Sequence, residues 1–242
     1  MPAGLDGNPD PVVSADRSRM LALLADAVPH ATAVGNVLVG IDGASGTGKS
    51  TLADELAGIL TARRRPVVRA SIDSFHRPRA ERYARGPLSA DGYYRDSHDL
   101  TAVVAQLLEP FAAGLGRFRT EAFDEPTDQP VDVAWQAVPT GAVLVFDGLF
   151  VHRPELAAFW DASVFLQAEQ RREEAWQAYL QRDLPPDPET RAAEIELRIT
   201  RARRSRYTDG QALYEAEASP TARATFVIDN DDLCHPVMTT RR

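Results

Sequence analysis

Apolar positions along the chain fall into short unbroken runs separated by longer stretches with helical spacing. Five runs, "NVLVGI" (36–41), "PVVRASI" (66–72), "AVLVF" (142–146), "ASVFL" (162–166) and "ATFVI" (224–228), read as strands. They are rich in Val, Ile and Leu with little polar alternation, the pattern of strands covered on both faces. Between and before them, "SADRSRMLALLADAV" sets Met20, Leu21, Leu23, Leu24 and Val28 at roughly helical spacing behind a Ser14 cap. "STLADELAGIL" is a second amphipathic stretch, "AEQRREEAWQAYLQRD" (168–183) a third, and a fourth runs from about Glu189 to Tyr207 after "LPPDP". Alternating strands and helices predict right-handed crossovers: an α/β fold with a five-stranded parallel sheet and helices on both faces.

In open sheets of this kind, ligands bind beyond the carboxyl ends of the strands. The first three runs end there on an acid: Asp42, Asp73 and Asp147. Two regions, 74–99 and 116–135, are too long for compact connections, and their Arg, Tyr, Phe, Asp and Pro content suits ordered substrate-binding insertions. The expected organisation is a flexible leader over 1–13, one domain over 14–234 with those two insertions and a helical lid at about 168–207, and a tail over 235–242. A chain of 242 residues, 44% hydrophobic, can bury one substantial core.

Charge narrows the partners. A net charge of −8 opposes non-specific nucleic-acid binding, and no run approaches the roughly 18 apolar residues of a membrane span. The first residues, "MPAGLDGNPDPVV", lack the layout of a secretory signal, so a cytoplasmic location is expected. Cys234 is the single cysteine, which rules out an internal disulfide and a CxxC motif. Small-molecule partners are expected, with homo-oligomer formation left open.

One stretch carries most of the chemistry. In "IDGASGTGKST", Gly43, four residues, Gly48, Lys49 and Ser50 satisfy G-x-x-x-x-G-K-[ST], between an apolar strand and an amphipathic helix as a phosphate-binding loop requires. The nucleotide contacts assigned to it are Gly43, Ala44, Ser45, Gly46, Thr47, Gly48, Lys49, Ser50 and Thr51. Backbone N–H groups and the helix N-terminus would face the phosphates, Ser50 would ligate Mg²⁺, and Lys49 would bridge the β- and γ-phosphates. Lys49 is the single lysine among 27 basic residues, the others being arginines. A compact ammonium fits between two phosphates inside a glycine loop, where the wide guanidinium fork does not. The glycines read GxxGxG, against the GxGxxG of dinucleotide folds. With no second lysine there is no N-K-x-D guanine motif, and no LSGGQ-like signature of a transporter ATPase is present.

Asp147, ending the strand of "VLVFDGLF", suits a second magnesium-binding acid, and the alternative is a purely structural Asp-Gly turn. Asp73 can orient an acceptor hydroxyl near the γ-phosphate and take its proton, or simply cap a helix. Arginines 198, 201, 203, 204 and 206 form a dense basic face that is either solvated surface or a source of one phosphate contact, Arg206 foremost. Tyr93 and Tyr94 either stack on a base or pack.

From about Leu38 to Asn230 the chain resembles the uridine kinase group of phosphate-loop kinases, in particular an actinobacterial-type branch. "GASGTGKST", "SIDSFHRPR", "YYRDSHDL", "VFDGLF", "QRD" and "RYTDGQALY" carry the resemblance. It implies that Asp73 is the catalytic base, with His76 standing where the family has a Tyr beside the nucleobase. It places Asp147 where the family has a Glu before a Gly, and Arg182 as a lid arginine closing over the phosphates. "YYRDSHDL" is only a loose counterpart of the family's ribose-binding segment, which makes Asp96 its candidate acid, and "AFDEP" echoes the base pocket with Phe123 and Asp124. The resulting expectation is ATP- and Mg²⁺-dependent phosphorylation of a primary hydroxyl, foremost the 5′-OH of uridine or cytidine. The alternatives are a kinase of another small alcohol, such as a sugar, vitamin or secondary metabolite, and a non-catalytic ATP-binding regulator.

Overall fold

A computed structural model describes residues 14–31, 35–203 and 206–240. The expected leader, 1–13, lies outside the described residues, as does Arg204. The central sheet has six strands: β1 (Val37–Gly43), β2 (Val67–Ser71), β3 (Val143–Gly148), β4 (Ala162–Gln167), β5 (Phe226–Asp229) and β6 (Val237–Thr240). Their spatial order is β6-β5-β4-β1-β3-β2, parallel throughout except that β6 runs antiparallel to β5. The five strands expected from the apolar runs are all present. The sixth comes from the segment expected to be a tail: "VMTT" is short and, apart from Met238, exposed, so it has no apolar run to betray it.

Helix α1 (Ala15–Ala27) begins where expected, with the Ser14 side chain accepting from the Arg17 N–H at 3.0 Å, a cap of about 1 kcal/mol. It packs beside α2 (Lys49–Ala62) on one face of the sheet, where Met20, Leu21, Leu24, Leu52, Leu56 and Leu60 meet Val39, Ile41, Val143, Val145 and Val164. Each fully buried leucine of this set contributes about 1.5–3 kcal/mol. Leu23, expected on the same stripe, is 53% exposed. On the other face, Phe75, Leu107, Phe111 and Phe118 cover Leu38, Leu144 and Phe146.

Neither long insertion is a plain loop. Residues 74–99 contain α3 (Ala90–Asp96), with Ser89 capping it at the Gly92 N–H. The second insertion folds into two short ribbons, Arg117–Phe118 with Gln136–Ala137 and Phe123–Asp124 with Gln129–Pro130. The helical stretch of 168–183 is α4 (Glu169–Gln181), and that of 189–207 divides into α5 (Pro188–Arg203) and the start of α6 (Arg206–Ala218). No described helix is long and apolar enough to cross a membrane.

Candidate active site

The loop between β1 and α2 is shaped by glycines and closed by its own side chains. A Cβ on Gly43 would lie 2.7 Å from the Leu166 carbonyl and 2.8 Å from Thr47 Oγ1, so only glycine lets β1 pass so close to β4. Gly48, at φ 91°, takes the left-handed turn into α2. Thr47 is buried and its hydroxyl donates to the Ala44 carbonyl at 2.9 Å; Lys49 Nζ donates to the same carbonyl at 2.8 Å. Behind the loop, Asn230 Nδ2 donates to the Thr47 carbonyl at 2.8 Å, and its Oδ1 accepts from buried Arg17, which also holds Glu55 of α2. Two arginine–carboxylate bonds and an amide thus brace the loop from outside.

Ser45, Gly46, Gly48, Lys49, Ser50, Thr51, Asp73, Asp147 and Leu149 line a cleft of about 370 Å³. Inside it, Ser50 Oγ donates to Asp147 Oδ2 at 2.7 Å, and Arg69 donates to Asp147 Oδ1 at 2.9 Å. Asp147 is 2% exposed, so an ionised partner is what makes its burial affordable. A hydroxyl and a carboxylate oxygen side by side are the hard-oxygen pair that a Mg²⁺ bound mainly by phosphates and water requires. The residues present therefore fit that ion.

Asp73 sits where β2 turns into the 3₁₀ segment Ile72–Phe75. Gly148 makes this possible: a Cβ there would lie 2.2 Å from Ile72 Cγ2, so β3 ends on a glycine directly against the turn that presents Asp73. A second cleft, of about 490 Å³, opens on the far side of Asp73, lined also by Ser74, His76, Glu121, Phe123, Asp124, Glu125, Pro126, Thr127 and Val131. Asp73 is the residue common to both clefts. Partial burial raises its carboxyl, but the neighbouring His98, with His76 and Lys49 behind it, outweighs that and leaves it below the usual carboxylate range. It is an ionised acceptor at neutral pH. Burial pushes His98 down to about 4, so that ring is neutral there.

Residues 38–196 match the model of the phosphoribulokinase / uridine kinase family. The chain belongs to this family. It is accordingly a P-loop small-molecule kinase with an alcohol acceptor. Among solved structures, a possible uridine kinase from Bacillus stearothermophilus is similar at 22% identity and a TM-score of 0.63, covering 87% of this chain and 97% of its own. A candidate fructose transport system kinase from Silicibacter sp. matches at 24% identity and 0.63, covering 82% and 95%. Phosphoribulokinase from Rhodobacter spheroides matches at 15% and 0.54, covering 86% and 81%. These likenesses show the shared fold. No curated protein sequence matches significantly.

In this kinase the other expected site residues are dispersed. His76 and Phe123 line the second cleft, Phe123 with little more than an edge. Asp96 ends α3 and accepts from Arg85 at 2.7 Å, and it lines neither cleft. Tyr93 packs edge-on against Phe150 and Tyr207, and Tyr94 is buried among Phe150, Tyr214 and Arg153. Arg206 is buried, its guanidinium 4.2 Å from the Tyr83 ring and bonded to the Arg82 carbonyl, so it faces packing and not phosphate. Arg182 follows α4 with its side chain 73% exposed beside Asp183, and it lines neither cleft.

Three features escape a reading of the sequence. Arg69, a charge inside an apolar strand run, orients Asp147. His98 is drawn against Asp73 by a bridge to His76. Asp42, which ends its strand just as Asp73 and Asp147 do, is fully buried: one oxygen accepts from the Gly43 N–H at 2.7 Å, the other from His152 Nδ1 at 2.7 Å and from the Tyr214 hydroxyl of α6. Its sequence signal, an acid at the end of an apolar run, is the one that Asp73 and Asp147 share.

Proposed function

We propose that the kinase transfers the γ-phosphoryl group of ATP to a hydroxyl of a small uncharged polyol, foremost the 5′-OH of a pyrimidine nucleoside. The observation that carries this reading is Asp73 standing at the junction of the phosphate cleft and the second cleft. The acceptor occupies the second cleft with its hydroxyl toward Asp73. As the acceptor oxygen attacks the γ-phosphorus, Asp73 takes the hydroxyl proton, the bond between the γ-phosphorus and the β–γ bridging oxygen breaks, and ADP leaves. Lys49 carries the charge of the β- and γ-phosphates. Ser50 and Asp147 hold Mg²⁺, which neutralises phosphate oxygens when bound.

The lining of the second cleft supports an uncharged acceptor. Glu121, Asp124 and Glu125 can accept from hydroxyls; among the described lining residues there is neither Arg nor Lys, and the nearby Arg82 is already paired with Glu125 at 2.7 Å, so a phosphorylated acceptor would face mainly carboxylates. His76 offers a ring face to a base, with the buried Phe123 behind it in the same wall. The same carboxylates favour a second reading, a kinase of a free sugar. ADP release measured against uridine, cytidine, free hexoses, pentoses and their phosphates decides between them. Release driven by nucleosides is expected; release driven by a sugar alone moves the assignment to the second reading, and tight ATP binding without acceptor-dependent release rejects both.

The resemblance-based role of Arg182 requires α4 and α5 to close over the phosphates. Arg182→Ala is expected to lower the maximal rate more than it weakens ATP binding, because a guanidinium that arrives on closing stabilises the transition state preferentially. A loss confined to ATP affinity would assign Arg182 to ground-state binding.

A further inference from the structure

We infer that Asp73, His76 and His98 form a binding site for one transition-metal ion of the zinc class, and that the ion, once bound, withdraws Asp73 from proton transfer. The two histidines are 22 positions apart in sequence, yet the backbone joins them by an antiparallel bridge, flanked by Asp99 N–H to Phe75 O at 2.8 Å and Arg77 N–H to Ser97 O at 3.0 Å. Their ring centroids are 4.5 Å apart. One ligand atom from each of the three residues lies within 4.8 Å of the others.

Each histidine is prepared for a metal in a different way. His76 Nδ1 lies 2.8 Å from the Asp73 backbone carbonyl. A carbonyl can only accept, so Nδ1 carries the proton and Nε2 is left with its lone pair outward. A backbone carbonyl on the remote nitrogen is the usual support of a metal-bound imidazole. His98 is 1% exposed, and among the described residues neither of its ring nitrogens has a hydrogen-bond partner; Nε2 stands 3.7 Å from Asp73 Oδ1, beyond hydrogen-bond range. Leaving a buried imidazole without partners is costly, and a cation between His98 and Asp73 removes the share of that cost that falls on Nε2.

Two imidazoles and one carboxylate select Zn²⁺ and its neighbours over Mg²⁺ or Ca²⁺, which prefer oxygen. Metal–ligand bonds of about 2.0–2.2 Å bring ligand atoms to about 3.4 Å from one another, so the outer ligands must swing inward. Asp73, 66% exposed, and His76, half-buried, have room to do so. Asp73 and His76 also line the acceptor cleft, which gives an ion a path to the site. The site itself rests on geometry alone, whereas its effect on turnover rests on Asp73 acting as the base.

The test is calorimetric titration of Zn²⁺ into the untagged full chain, with Mg²⁺ in excess to saturate Ser50 and Asp147. One equivalent is expected to bind. His76→Gln and His98→Phe should each weaken it at least about 10–100-fold, while His235→Gln, which alters an exposed His–Asp pair elsewhere, should leave it unchanged. No stoichiometric uptake, or uptake undiminished in His76→Gln, overturns the site. If His98→Phe fails to fold by circular dichroism, His76→Gln alone decides. In the kinase assay, the same Zn²⁺ should suppress acceptor-dependent ADP release by the wild-type chain and leave the residual rate of His76→Gln unaffected. Uptake without suppression overturns the claim that Asp73 is withdrawn. If no acceptor is turned over at all, the proposed function fails, and the calorimetry still decides the metal site.

Discussion

Asp73→Asn should cut phosphorylation of the acceptor by roughly 10²–10⁴-fold, the range typical of a lost general base, while ATP·Mg²⁺ affinity stays within a few-fold. The substitution keeps size and most hydrogen-bonding geometry and removes the negative charge that takes the proton. Asp73 belongs to the wall of the phosphate cleft but supplies none of the Ser50–Asp147 pair, so nucleotide binding and chemistry should separate. Nucleotide affinity, metal dependence and acceptor turnover on this single variant discriminate three roles. Unchanged turnover would reduce Asp73 to a backbone turn residue, because Asn stabilises such a position as well as Asp does. A joint fall in metal affinity and turnover, partly restored by excess Mg²⁺, would make it a ligand of that ion.

Lys49→Arg preserves charge and should still lower turnover by roughly 10²–10³-fold, the size of a lost transition-state donor. Lys49 Nζ reaches the Ala44 carbonyl at 2.8 Å, within a loop whose Gly43 has no room for even a methyl group. A guanidinium at that depth must displace the loop or leave the phosphates. Thermal stability should change little, since α2 keeps its Leu52, Leu56 and Leu60 anchors in the core. Near-normal turnover would mean that the arginine-rich composition of the chain, and not the shape of this loop, accounts for the single lysine.

What could be read from the sequence was local. The five apolar strands, the Ser14 cap and the phosphate loop each depend on neighbours a few residues away, and each appears where the pattern puts it. Roles that depend on long-range packing were not legible. Asp42, Asp73 and Asp147 look alike as strand-ending acids; only the position of α6 makes the first a buried anchor for Tyr214 and leaves the other two in the clefts. Arg206 looked like a phosphate ligand because arginines crowd its neighbourhood, but the Tyr83 ring of the first insertion captures it. His98 drew no attention because its pairing with His76 is a tertiary contact. The edge strand Val237–Thr240 was hidden because an edge needs backbone partners more than apolar side chains.

The Asp42 anchor has a mechanical consequence. A single carboxylate grips the Gly43 N–H with one oxygen and the α6 tyrosine with the other, so the phosphate loop and α6 share one buried anchor. Displacing α6 would break the Tyr214 bond to the carboxylate that also holds the start of the phosphate loop. Among the described side chains of α4, Leu180 is buried and the rest are exposed. With Gly210, Gln211, Tyr214 and Ala218 buried, α6 should protect its amide hydrogens from deuterium exchange longer than the exposed, described positions of α4 do.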